Sequence, residues 1–587
     1  MKHLFVRSGA ALLLCALITG CVDKDYDLSN IDTTSEFRVD NLVLPINLDA
    51  ITLDKIIDLD EESKIKTVDI NGKQFYAVTE EGDFHSEPIF IESFTATIPP
   101  VNTTNAIFEL NAGGRNASRA ASTSKSVFYY DLRDFTPQHV SIKANGIDNS
   151  IRAIDELKSK PMTITIALHE STLPSNVTIS MEALKLEMLK GLNVTSASAG
   201  AKYDPQTGIL SIENLNFTNN EAQISLVAEG IDFTLNNTTI KDNSFDCSSE
   251  IKLDSGKLKM EVAMSSGQSF TPNQRVEFAL KTTFSPFIAT HFSGKIEYKL
   301  SGSDLNINPI TLNDIPDFLN QDETDLILAN PQIYLNLNNP VAGYNLYYQT
   351  GLQLTSIRTS GNKTYAPDNG QKIATAAGNS GTLNFVLSPT MPSDPLSQYT
   401  KDLKHIPFSG LSNLLSGEGL PNEIEIDLIN PELPLQTVAD FKLDNNIEGV
   451  KGNYYFLAPL ALKTESTIIY TDSKDGWNDE DLDKLKITSL ELEADATSTI
   501  PLEATIVAYP LDKHGNRISG VKATGKLPAN CTDEHIVITM EGTIEHLDGV
   551  TFEATVHPGD ENPLAPSQTI ILKNLRARVS GSYLTDF

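Results

Sequence analysis

The chain has 587 residues, 40% of them hydrophobic and 21% charged, and a formal net charge of −32. This is the balance of a folded globular protein, so wholesale disorder is excluded, and the length allows roughly three to five domains of about 100–200 residues. So large an excess of acid repels phosphate backbones, which argues against nucleic acid as a partner and suits a body that must stay soluble beside an anionic cell surface.

The N-terminus is the most specific part of the chain. Lys2 and Arg7 form a basic head, residues 10–18 an apolar run, and Ile18-Thr19-Gly20 leads into Cys21. A run of about a dozen apolar residues falls short of the roughly 20 needed to cross a bilayer. The pattern resembles the lipobox of bacterial lipoproteins. That resemblance implies a signal peptide, 1–20, cut away before Cys21. It also implies a diacylglycerol thioether on Cys21, an acylated new amino terminus with palmitate-type chains, and an outer-membrane lipoprotein held by its anchor. Two or more chains hold where one binds only marginally, each buried CH₂ contributing about 0.8 kcal/mol. Val22 and the acidic Asp23-Lys24-Asp25-Tyr26-Asp27 are similar to the surface-export signal of lipoproteins in gut-dwelling anaerobic Gram-negative bacteria, which implies exposure on the outer face. The stretch 23–34, Leu42-Val43-Leu44-Pro45 and Asn71-Gly72-Lys73-Gln74-Phe75-Tyr76 together resemble the start of a poorly characterised surface lipoprotein family of such bacteria. The likeness bears on location alone. Asp32-Thr33-Thr34 fits a short O-glycosylation sequon and equally an ordinary polar linker.

Further along, residues 111–126 are rich in Gly, Ala, Ser and Asn and locally basic through Arg115, Arg119 and Lys125, which reads as a loop. Ser150 is placed to cap a short helix over 151–158, with Ile151, Ile154 and Leu157 on one side and Pro161 ending it. A strand over 162–168 follows, then His169. Tyr203 and a strand at 209–212 flank the turn signal Asp204-Pro205-Gln206-Thr207-Gly208. Ile251 and Leu253, then Asp254-Ser255-Gly256, then Leu258, Met260, Val262 and Met264 at period two predict a hairpin with one apolar face. Val276, Phe278 and Leu280, and again Ile296, Tyr298 and Leu300, alternate with charged residues, which puts each set on one side of a pleated sheet.

Residues 326–335 and 426–435 echo each other around Asn330-Pro331 and Asn430-Pro431. Such an echo suits tandem domains, and the prolines should mark an edge, a bulge or a crossing between sheets. Tyr344, Tyr347 and Tyr348 form either a binding strip or packing. Phe408, Leu411, Leu414 and Leu415 suggest a helical turn or two, and Lys513-His514-Gly515-Asn516 another tight turn.

The fold class expected is all-β: tandem antiparallel β-sandwich (Ig-like) domains with a few short helices. The divisions expected are a signal peptide at 1–20, an acidic tether at 21–40 and an N-terminal β region at 41–145. Sandwiches follow over 146–300, 301–400, 401–480 and 481–587.

Chemistry is sparse in the sequence. Phosphate-cradling, nucleophile-elbow and zincin motifs do not occur. His169 precedes Glu170 and His405 precedes Ile406-Pro407, and neither sits beside a recognisable acid or nucleophile pair; Cys247 and Cys531 lie far apart with no Cys-x-x-Cys pair, which leaves a disulfide or two separate buried thiols. Asp472, Asp475, Asn478, Asp479 and Glu480, next to Gly476 and Trp477, could supply oxygens to Ca²⁺ or form a solvated acidic hairpin tip. No other cofactor is implied. Three functions fit these features: a non-catalytic cell-surface lipoprotein that binds a glycan or an envelope protein, a secreted-side glycan or peptide hydrolase, and a carrier of an apolar ligand. The first is expected, with the membrane as partner through Cys21.

Overall fold

The computed structural model describes residues 34–45, 49–57, 63–111, 118–122, 125–132, 136–171, 173–263, 273–300, 307–312, 319, 324–379, 381–416, 421–476 and 485–586. These residues form an all-β protein of four multi-stranded sheets, with one four-residue α-helix, Leu53–Ile56, and a few 3-10 turns. Pairing among the described strands is antiparallel except where Leu383–Ser388 runs parallel to Lys404–Pro407.

A twelve-stranded sheet is built on Ile151–Glu170, Phe287–Lys299 and Glu423–Lys442, and a seven-stranded sheet on Val177–Glu187 and Ser244–Ala263. The period-two pattern explains why they pack. Ile164, Ile166 and Leu226 on the first sheet and Met181, Leu258 and Met260 on the second are fully buried in one shared core. Each such side chain contributes about 1.5–3 kcal/mol. Val276, Phe278 and Leu280 enter the same core, as their alternation predicts.

The third sheet has six strands, with Lys73–His85, Gln332–Leu337, Leu383–Ser388 and Lys451–Pro459 among them. Leu383–Ser388 is buried at every position because both its faces are covered. Phe385 and Leu387 meet the large core, while Val386 joins Tyr334, Tyr399 and Leu457 in a separate cluster. The two-residue turn Asn71-Gly72, with φ of 54° and 81°, sets the register of Ile65–Ile70 on Lys73–His85. Both residues accept the positive φ that a primed hairpin turn demands.

Four local expectations are corrected. Within 111–126, read as a loop, Ser118–Ser122 is a strand paired antiparallel with Lys125–Leu132. Residues 151–158 are not a helix but the first half of Ile151–Glu170. Ile151, Ile154 and Leu157 are buried at a spacing of three because the register on Phe287–Lys299 slips between 151 and 153 and again between 154 and 156. Successive bulges imitate a helical period. Likewise Asp254-Ser255-Gly256 is not a hairpin turn. Ser244–Ala263 runs straight through it, and Asp254 is the extra residue of a bulge opposite Lys185 and Leu186. There the strand exchanges Gln138–Asn145 for Lys125–Leu132 as its neighbour. The sequence echo does not mark equivalent places, since Asn330 sits in a bend before Gln332–Leu337 while Asn430-Pro431 lies inside Glu423–Lys442. Asn430 has φ 49°, and the register against Gln349–Ile357 slips there, the bulge that a proline inside a ladder requires.

The fourth sheet has ten strands and joins the two ends of the described chain, since Thr34–Pro45 pairs along Thr569–Asp586. Its register sorts the side chains into two unlike faces. One row, crossing seven strands, reads Ala577, Leu492, Ile538, Gly525, Ile506, Ala554 and Tyr470. Gly525 belongs there because a Cβ would stand 2.4 Å from Cγ1 of Ile538. One residue along, on the opposite face, the row reads Val43, Arg578, Glu491, Thr539, Thr524, Val507, Glu553 and Thr471. That face carries ion pairs: Glu493 accepts from Nε of Arg576 at 2.6 Å and of Arg578 at 2.8 Å. Those two guanidinium groups, Arg578 first, pull the Glu493 carboxyl down to about 2.

Candidate functional site

The alternation that buries one face of Ile151–Glu170 presents the other to solvent, and there the sheet carries a shallow trough of about 410 Å³. That size lies within the range of small-ligand sites. Its shape follows from three neighbouring strands. His169 stands between Glu221 and Ala279, Ala167 between Gln223 and Lys281, and Thr165 between Ser225 and Thr283. Directly opposed residues on adjacent strands bring their Cβ atoms to about 5 Å. Ala167 and Ala279 keep the floor low, while His169, Glu221, Gln223, Lys281, Thr283 and Thr103 stand around it. Lys281, the Gln223 amide and the threonine hydroxyls donate; Glu221 and the Gln223 carbonyl accept. The trough offers a mixed set of hydrogen-bonding groups on a rigid, twisted surface.

Behind His169, on the core side, lies an unusual group. Glu170 is 6% exposed, pairs with Phe278 across the ladder, and its Oε2 has no hydrogen-bond partner among the described residues. Burial alone pushes its carboxyl up to about 7. The backbone around it is well held, with the Glu170 N–H donating to Asn220 O at 2.9 Å and the Ser171 N–H to Glu277 O at 2.9 Å. A titratable group is thus fixed beneath one end of the trough.

The residues singled out from the sequence are scattered. Cys21 lies outside the described residues, as do Asn478, Asp479 and Glu480. Asp472 is an exposed member of the strand Ile468–Lys474, its carboxylate accepting from the Ser473 N–H at 2.8 Å, and Asp475 is exposed just beyond. Among the described residues no group of three or more His, Cys, Asp or Glu is arranged to hold a metal. His405 is half-buried and structural, its Nε2 within 3.1 Å of Ser388 O and 3.2 Å of Ser388 Oγ. Cys247 is buried, with its thiol pushed up by burial, and Cys531 is partly buried with Sγ 3.4 Å from Ala496 O; neither is paired. Tyr348 is buried and Tyr344 packs on Phe441 at 4.6 Å, so these rings are packing elements. Sequence reading placed His169 beside its strand but not within a site. The signal available was the outward series Thr165, Ala167, His169; apart from Thr103, the neighbours that complete the trough come from strands more than 50 residues further on.

No helix among the described residues is long and apolar enough to cross a membrane. No protein-family model matches the sequence, and no curated protein matches it. Among solved structures, a protein of Parabacteroides distasonis described as a candidate secreted protein is 15% identical, with a TM-score of 0.35, over 49% of this chain and 88% of that one. A structure described as the triple jelly roll fold and turret assembly of an archaeal virus is 11% identical, with a TM-score of 0.12, over 83% of this chain and 91% of that one.

Proposed function

We propose that this chain is a lipid-anchored protein of the bacterial outer surface that binds a glycan without transforming it, using the trough on the twelve-stranded sheet. The observation that carries this reading is the trough itself: small residues on its floor, and donors and acceptors around it held by three paired strands. Sugars present hydroxyls that both donate and accept, which this mixture matches. Among the described residues one carboxylate, Glu221, lines the trough, whereas glycoside hydrolysis uses two about 5–10 Å apart. Anchoring through Cys21 and export through the acidic stretch after it complete the reading; they rest on the lipobox and export-signal resemblances.

The test is an array of neutral and acidic glycans probed with the soluble ectodomain. A bound glycan is expected, with Lys281→Ala and His169→Ala each lowering its affinity at least tenfold while leaving unfolding unchanged, since both side chains are exposed. Binding that survives both substitutions undiminished would move the site elsewhere.

A further inference from the structure

The ten-stranded sheet leaves an apolar surface that the glycan reading does not use. Leu492, Ile506 and Ile538, at the centre of its apolar face, are half-buried and belong to none of the buried clusters of the described residues. On one flank Phe552 is 41% exposed, and on the other Val39 is 39% exposed. Val39 lies opposite Gly581 and Leu42 opposite Val579, so the edge strand Thr34–Pro45 continues this same face, part of which is covered where Val579, Leu490 and Ala523 pack against the small buried cluster of Ile487, Val521, Met540 and Ile544. Apolar sheet faces are ordinarily closed by a second layer.

We propose that this face seats the acyl chains carried by Cys21, so that the lipoprotein shields its own anchor when it is not in a membrane. The inference rests on the lipobox reading. Thr34 opens the edge strand of this very sheet, 13 residues after Cys21 in the sequence, and 13 residues of any chain span at most about 45 Å. The eight strands of the main path, at about 4.8 Å apiece, make a surface about 35 Å wide, which is less than that limit. The floor there is low, with Gly525 and Ala554 on either side of Ile506, which suits a thread of methylenes lying along the sheet.

Two measurements test it together. Mass spectrometry of the natural protein first establishes whether Cys21 is acylated. A fluorescent long-chain fatty acid, dansyl-undecanoate, is then titrated without detergent into the acylated protein and into an unacylated chain beginning at Val22, which keeps every described residue. The unacylated chain is expected to bind the probe, the acylated protein at least tenfold more weakly, and Phe552→Asp in the unacylated chain to weaken binding at least tenfold. With acylation confirmed, equal binding by the two forms, no binding by the unacylated chain, or indifference to Phe552→Asp overturns the docking and leaves the anchor standing. An unmodified Cys21 overturns both.

Discussion

Replacing Phe278 by Ala is expected to cost the protein about 3–5 kcal/mol, the range for deleting a fully buried aromatic ring. Phe278 is fully buried, with the rings of Phe108 and Phe217 at 5.7 and 5.8 Å in edge-on or tilted contact. Edge-to-face pairs of this kind contribute about 0.5–1.5 kcal/mol beyond the area they bury. The loss should fall at the high end of the range because the surroundings are β-strands locked on both sides: Asn273–Phe284 pairs with Ile151–Glu170 and with Thr104–Asn111. Such strands cannot collapse into the cavity. Denaturant unfolding of the two proteins checks this, and a difference below about 1 kcal/mol would show that these rings do not share one core.

The second large effect concerns pH. In the unfolded chain a glutamate titrates near 4.5, whereas burial in the folded protein raises Glu170 to about 7. Between those values the folded protein holds a proton that the unfolded chain has released. Its contribution to stability is therefore fully present below 4.5, declines as pH rises through the window and is lost above about 7. Glu170→Gln keeps the shape and removes the charge, so it should stabilise the protein by roughly 2–3 kcal/mol at pH 8 and leave it nearly unchanged at pH 4. The same difference at both pH values would mean that the effect lies in packing. Because Glu170 follows His169 in one strand, the substitution should act through the rigidity of the trough's floor, not through contact with ligand.

The all-β class was legible because the strands alternate: Val276, Phe278 and Leu280 are buried as their spacing demands. What was not legible is how strands bend. Ile151, Ile154 and Leu157 carry a helical period that two bulges produce, and Asp254-Ser255-Gly256 has the composition of a turn but is used to swap partners along one strand. Both are cases in which tertiary pairing overrides a local signal. The trough was half legible, since Thr165, Ala167 and His169 are visibly the outward set of their strand, yet its ligand-facing breadth comes from pairings with residues 221–225 and 279–283 that no local pattern encodes. The apolar face of the ten-stranded sheet was not read from the sequence, although Leu490-Glu491-Leu492-Glu493-Ala494-Asp495-Ala496 alternates between apolar and acidic residues; the structure places Leu492 in line with Ile538 and Ile506. The closing of the sheet by Thr34–Pro45 depends on two ends of the described chain meeting, which sequence order conceals.

The proposals divide labour between two surfaces of one chain: a polar trough on the twelve-stranded sheet for a glycan, and an apolar face on the ten-stranded sheet for the acyl chains of the proposed anchor. Deciding whether that division is real begins with the anchor. Intact mass of the protein extracted from the membranes of its own cells, combined with protease treatment of whole cells, is the most direct measurement. The account predicts a chain that starts at an acylated Cys21 and is clipped from outside; a chain that retains residues 1–20, or one found only in the soluble fraction and untouched by external protease, would contradict it.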